Sequence, residues 1–122
     1  MTTMMQPKPN CKRGDVALVL FPHSDLRTAR PRPALIVQAD DLQTGLPQVI
    51  VAMITSRLFR ANHPSRVTVS VATSEGRQSG LLTDSVVMTD NLATVIESAV
   101  DRVIGSLPMG QVDEALRHTL GL

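Results

Sequence analysis

The chain contains no tryptophan, no tyrosine, only two phenylalanines and a single cysteine. With so few aromatics, a core must be built from Val, Ile, Leu, Ala and Met, residues that pack well on pleated sheets and short helices. Cys11 alone can close no internal disulfide and cannot build a four-ligand zinc site, so a reducing compartment suits the chain. No stretch approaches the roughly 20 apolar residues of a membrane span, and the start MTTMMQPKPNCKR lacks a signal-peptide core. A soluble, cytoplasmic protein with no membrane partner is expected. Also missing are a phosphate-binding glycine loop, a dinucleotide fingerprint and a His-Glu-x-x-His helix, so neither a metal nor a nucleotide cofactor is expected.

What is present is a 122-residue chain, 43% hydrophobic and 19% charged, which suits one domain with a single core. Its net charge of +1 conceals a split: residues 1–77 hold 10 Lys/Arg against 5 Asp/Glu (+5), and residues 78–122 hold 2 against 6 (−4). A basic face for phosphates or an acidic peptide is compatible with that split, although loop arginines are most often merely solvated.

Residues 1–12 read as a flexible arm, and 13–122 as the domain. DVALVLFP is a first strand, and HSDLRTARPRP a Pro- and Arg-rich loop. ALIVQ is a short, almost wholly apolar strand, ADDLQTGLP offers a helical turn, and VIVAMITS is a buried central strand. RLFRANHPSR is a polar loop, in VTVSVA residues Val67, Val69 and Val71 share one face, and TSEGRQSG is another loop. GLLTDSVVM is extended with room for a bulge at Thr83 to Ser85, TDN signals a turn, and ATVIE and RVIGSL are short strands. Beyond Pro108, which fits a helix's first turn, Met109, Val112, Leu116 and Leu120 recur at three- and four-residue intervals, marking an amphipathic helix. The pattern predicts a mainly β fold, a curled antiparallel sheet or partly open barrel, with a C-terminal helix.

The order GDVALVLFP, RPALIV, VIVAMITS, SGLLTDSVV, a D-N turn, RVIGSL and a final helix resembles the MazF/PemK family over residues 13 to 120. The resemblance implies an SH3-like small barrel of the MazF/CcdB type. It also implies a toxin of a type II toxin–antitoxin system that works as a homodimer on single-stranded RNA. The implied reaction is metal-independent: the ribose 2′-hydroxyl attacks the adjacent phosphate, leaving a 2′,3′-cyclic phosphate and a 5′-hydroxyl. The implied protein partner is a cognate antitoxin laid across the dimer groove. A different function on the same fold is a gyrase-directed poison or a decayed nuclease.

Arg32, before the ALIV strand, matches the family's catalytic arginine; a guanidinium stays charged and donates two parallel hydrogen bonds, which suits charge developing on phosphoryl oxygens. Outside such a motif, an arginine before a proline is a solvated loop residue. Thr55 matches the family's threonine beside the scissile phosphate, with Ser56 able to assist; without the motif it is an ordinary β-branched strand end. Asp90 aligns with a carboxylate used as a base in some relatives, and equally reads as a turn residue. Where those relatives carry an arginine two positions earlier, this chain has Met88. His23 is a candidate proton carrier whose spacing fits an RNA contact or an exposed loop residue better than a base. Arg27, Arg30, Arg57, Arg60 and Arg66 are candidates for RNA-backbone contacts, some of them solubility charges. Phe59 can stack on a base, although a place in the core under its loop is the favoured reading, as it is for Phe21. His63 and His118 carry no assignment.

Overall fold

The computed structural model of the chain describes residues 11–22 and 29–122, without the side chains of Phe21, Pro22 and Ala29. The apolar run expected as the first strand forms β1 (Asp15–Pro22); β2 (Ala29–Ile36), β3 (Gln48–Thr55), β4 (Arg66–Val69), β5 (Ser85–Ile96) and β6 (Val100–Ser106) follow. All neighbours pair antiparallel in the order β4-β5-β3-β2-β1-β6, so β4 and β6 are the edges of an open sheet. A short helix α1 (Ser74–Gln78) leads from β4 towards β5, and α2 (Gly110–Leu120) is the C-terminal helix.

An 11-residue helix is marginal alone, so packing must hold α2 in place. Its Val112 is buried against Val16, Leu35, Ala52, Ile54, Val69 and Val87, with Met109 and Leu116 partly covered beside it. Each fully buried side chain of this size contributes about 1.5–3 kcal/mol. The helix ends where Gly121 turns left-handed at φ 72°.

A second buried cluster, Ala17, Val19, Ala34, Ile36, Val49, Val51 and Val100, runs across the four neighbouring strands β3, β2, β1 and β6. The sheet curls so that the segment leading into β5 meets β6 at the far edge. Two glycines tighten the curl: a Cβ on Gly80 would run into the Ile104 carbonyl, and one on Gly105 into the backbone of Gln78 and Ser79. Chain and strand therefore touch backbone to backbone here, which only glycine permits.

The structure departs from the sequence expectations at five places. β2 begins at Ala29, so the ARPRP stretch is strand and not loop. The TDN stretch is no turn: β5 runs unbroken from Ser85 to Ile96, and the irregularity expected at Thr83 to Ser85 lies at Thr89–Asn91. On β3, Met53 faces Met88 while Ala52 faces Leu92, so Thr89, Asp90 and Asn91 have no partner there and bulge out. The TSEGRQSG loop contains α1, whose N-cap Thr73 accepts the Gly76 N–H at 3.0 Å. The chain turns after Val69, so Val71 lies outside β4, and the ADDLQTGLP stretch makes only a turn, Leu42 N–H to the Ala39 carbonyl.

Candidate active site

Two prolines determine where a groove opens. Backbone N–H groups along an antiparallel strand alternate between its two neighbours. Val37 N–H, one residue past β2, donates to the Ile50 carbonyl of β3 at 3.2 Å. The nitrogens of Leu35, Pro33 and Pro31 therefore face β3, and those of Ala34, Arg32 and Arg30 face β1. Proline has no N–H to donate. The β2–β3 ladder accordingly stops at Ala34 opposite Met53, while the β1–β2 ladder continues through Arg32 opposite Val19 and Arg30 opposite Phe21. Proline here ends pairing on one side of the strand alone.

Continuing the β2–β3 register by two residues sets Arg32 opposite Thr55, the last residue of β3, on one face of the sheet. The strands have parted at that point, and the gap opens into a cavity of about 820 Å³. Arg30, Arg32, Arg57, Arg60 and Arg102 line it, and no Asp or Glu does so among the described residues. Five guanidiniums without a lining carboxylate make a site for a polyanion, and their forked donors suit phosphate.

Thr55 and Ser56 both line this cavity. The Thr55 Oγ1 accepts the Arg57 N–H at 3.1 Å, which orients the hydroxyl and leaves its hydrogen to donate elsewhere. Arg57 leads into a single 3-10 turn at Leu58–Arg60. The Arg60 guanidinium lies 3.7 Å from Met88 Sδ and 5.7 Å from the Phe59 ring centre. Phe59 is 78% exposed, so the expected place in the core is wrong. The turn is too short to carry its side chain back over the sheet, and Arg60 covers one ring face instead.

Asp90 stands apart from these groups. It sits in the β5 bulge and is not among the lining residues, whereas its neighbour Asn91 is. Arg66 Nη2 and Nε donate to its carboxylate at 2.7 and 3.4 Å. Hydrogen bonding from Arg66 holds the Asp90 carboxyl below its ordinary value, and the same bond raises Arg66. His23 and Arg27 lie outside the described residues. His63, whose Nδ1 is 2.7 Å from Ser65 Oγ, and His118 do not line the groove. Among the described residues no three His, Cys, Asp or Glu side chains cluster as a metal site. No described helix is long and apolar enough to cross a membrane.

Sequence reasoning passed over Arg102. It stands on β6 opposite Leu18 of β1, and both line the groove. Nothing in DRVIG marks that arginine locally; its position follows from the pairing of β6 with β1.

A curled six-stranded sheet, one C-terminal helix and an arginine-lined cleft at a parted strand pair define a small β domain built to hold a polyanion. The family described as "PemK-like, MazF-like toxin of type II toxin-antitoxin system" matches residues 12–120. Endoribonuclease EndoA of Bacillus subtilis (strain 168) is 31% identical over 115 residues, covering 91% of this chain and 95% of the relative. The Mycobacterium tuberculosis toxin MazF-mt6 superposes with a TM-score of 0.67 at 26% identity, over 88% of this chain and 97% of that one. An endoribonuclease from a mycobacterial species, solved in complex with its cognate antitoxin, shares the fold with a TM-score of 0.71 at 23% identity, over 92% and 96%. The chain belongs to the PemK-like, MazF-like family of type II toxin–antitoxin toxins.

Proposed function

We propose that this chain is the toxin of a type II toxin–antitoxin pair and acts in the cytoplasm as a metal-independent endoribonuclease on single-stranded RNA. The observation that carries the reading is the placement of Arg32 and Thr55 across the parted ends of β2 and β3, in a groove whose charged lining residues, among those described, are all arginines. Its family membership and the 31% identity to an endoribonuclease support the same activity.

In this reading the ribose 2′-oxygen forms a bond to phosphorus as the P–O5′ bond breaks, giving a 2′,3′-cyclic phosphate and a 5′-hydroxyl. Arg32 donates two N–H bonds to the non-bridging oxygens as their charge grows, and the Thr55 hydroxyl, oriented by Arg57 N–H, donates a third. The 2′-hydroxyl proton passes to a base and the leaving 5′-oxygen gains a proton. His23 is the candidate for this traffic. Arg27, Arg30, Ser56, Arg57 and Arg60 hold the backbone of the strand.

Residues 13–122 serve as the single catalytic domain behind an arm of residues 1–12, and the working unit is a homodimer. The partner that silences it is an antitoxin with an acidic extended segment, complementary to the arginine-lined cleft.

The test is incubation of the pure protein with a defined single-stranded RNA in excess chelator, followed by analysis of the fragment ends. Cyclic phosphates are expected, and Arg32→Ala or Thr55→Ala each lowers the rate by about 10²–10³. Full activity in both variants overturns the assignment, and gyrase inhibited with RNA left intact favours a non-catalytic poison of the same fold.

A further inference from the structure

We infer that Asp90 and Arg66 are positioning residues: together they hold the Leu58–Arg60 turn so that the Arg60 guanidinium is presented to the RNA backbone in the groove. The inference rests on the RNA-cleaving reading of that groove.

One guanidinium ties three segments together. Arg66 opens the edge strand β4 opposite Met88. Two of its nitrogens donate to Asp90 in the β5 bulge, and its Nη1 donates to the Arg60 carbonyl at 3.1 Å. That carbonyl closes the 3-10 turn, whose internal bonds run from Arg60 N–H to Arg57 O and from Ala61 N–H to Leu58 O. Carbonyls at the end of a helical turn have no partner within it, so an outside donor decides whether the end is fixed or frays. The side chain of the same residue, Arg60, extends to Met88 Sδ and lines the groove.

The bulge explains why Asp90 is available for this. Freed from β3, Thr89 turns to the other side, where its N–H and Oγ1 both donate to the Ser65 carbonyl, at 3.0 and 2.6 Å. Asp90 follows it towards Arg66, while Asn91 returns to the groove lining. A general base must reach the reacting hydroxyl, and a carboxylate outside the lining and forked to an arginine is poorly placed and weakly basic.

The experiment compares the full chain with Asp90→Asn, Arg66→Met and the double variant. Each single change is expected to lower kcat/KM on single-stranded RNA about tenfold, mainly through KM, with the double no worse than either single. The pH–rate limbs stay where they are in the parent protein. Native tryptic cleavage after Arg57 and Arg60, followed by mass spectrometry, becomes several-fold faster in all three. Arg66→Lys, which keeps the charge but loses the fork, falls between parent and Arg66→Met.

A loss of about 10²–10⁴ in kcat confined to Asp90→Asn, with the acidic limb gone and Arg66→Met fully active, makes Asp90 the base and overturns the inference. A lowered melting temperature with KM and tryptic rates unchanged makes the pair a mere staple and overturns it as well. If the parent protein leaves RNA intact, the nuclease reading fails, while unchanged tryptic rates in the variants reject the held turn separately.

Discussion

Arg13 Nη2 reaches the carboxylate of Asp113 at 2.6 Å, tying the residue two places ahead of β1 to the first turn of α2. The same guanidinium donates through Nε to the Val37 carbonyl at 3.0 Å, and the Arg13 N–H donates to Asp40 at 2.7 Å. A single residue thus pins the start of the domain to its end and to the chain after β2. Exposed ion pairs contribute little, but this one is partly covered and a second nitrogen of its guanidinium bonds a carbonyl. Arg13→Ala is expected to cost about 1–2 kcal/mol, and Asp113→Ala less because the Val37 bond survives. Urea midpoints of the two singles and the double measure this, and a double equal to the sum of the singles would contradict a shared latch.

Arg102 should behave as a backbone contact. Arg102→Ala is expected to weaken binding of a non-cleavable, 2′-deoxy-substituted RNA and to reduce the slope of log K against log salt by about 0.7, the value for one phosphate on a single strand. Fluorescence anisotropy across a salt series reads both. An unchanged slope would remove Arg102 from the RNA path.

Pro33→Ala restores an N–H facing Ile54, its in-register neighbour on β3. The ladder should lengthen by a bond contributing about 0.5–1.5 kcal/mol, and the groove should narrow. Slowed amide exchange at residue 33 together with reduced RNA cleavage is the expected result. Unprotected exchange at that amide would show that something other than the prolines keeps the strands apart.

The Arg66–Asp90 pair also sets a pH dependence. The folded-state pKa of Asp90 lies below its ordinary 3.8, chiefly through the Arg66 hydrogen bond. Its contribution to stability is therefore present above that ordinary value and lost as pH falls through the lower, folded-state value. The melting-temperature gap between the parent and Asp90→Asn should be constant from about pH 5 to 7 and shrink as pH falls below the ordinary value. A gap unchanged down to pH 2 would mean that Asp90 is not held as a carboxylate.

Strands and helices with one strong period were legible in the sequence. DVALVLFP is β1, VIVAMITS ends in β3 at Thr55, and the spacing of Val112 and Leu116 marks α2. The misreadings share a cause: a residue type was credited with a local effect that tertiary pairing redirects. Pro31 and Pro33 give their stretch the composition of a loop, yet the β1 side of the strand needs no donor from them. Thr-Asp-Asn was read as a turn, yet the same polar, flexible residues make a bulge when β3 and β4 hold the strand on either side. Arg32 and Thr55 were legible because they sit in ordered motifs, Arg102 was not because its meaning lies in a partner strand, and Asp90 was visible without its Arg66 fork.

The parted end of β2 leaves a length of strand edge facing an open cleft. An exposed edge of alternating donors and acceptors recruits other strands, which is how many β proteins come to aggregate. Here Pro31 and Pro33 stand where the outward donors would be. A stray strand would find acceptors but no N–H groups at those two positions. The two prolines at which the β2–β3 ladder ends thus also make the freed edge a poor template for another β-strand.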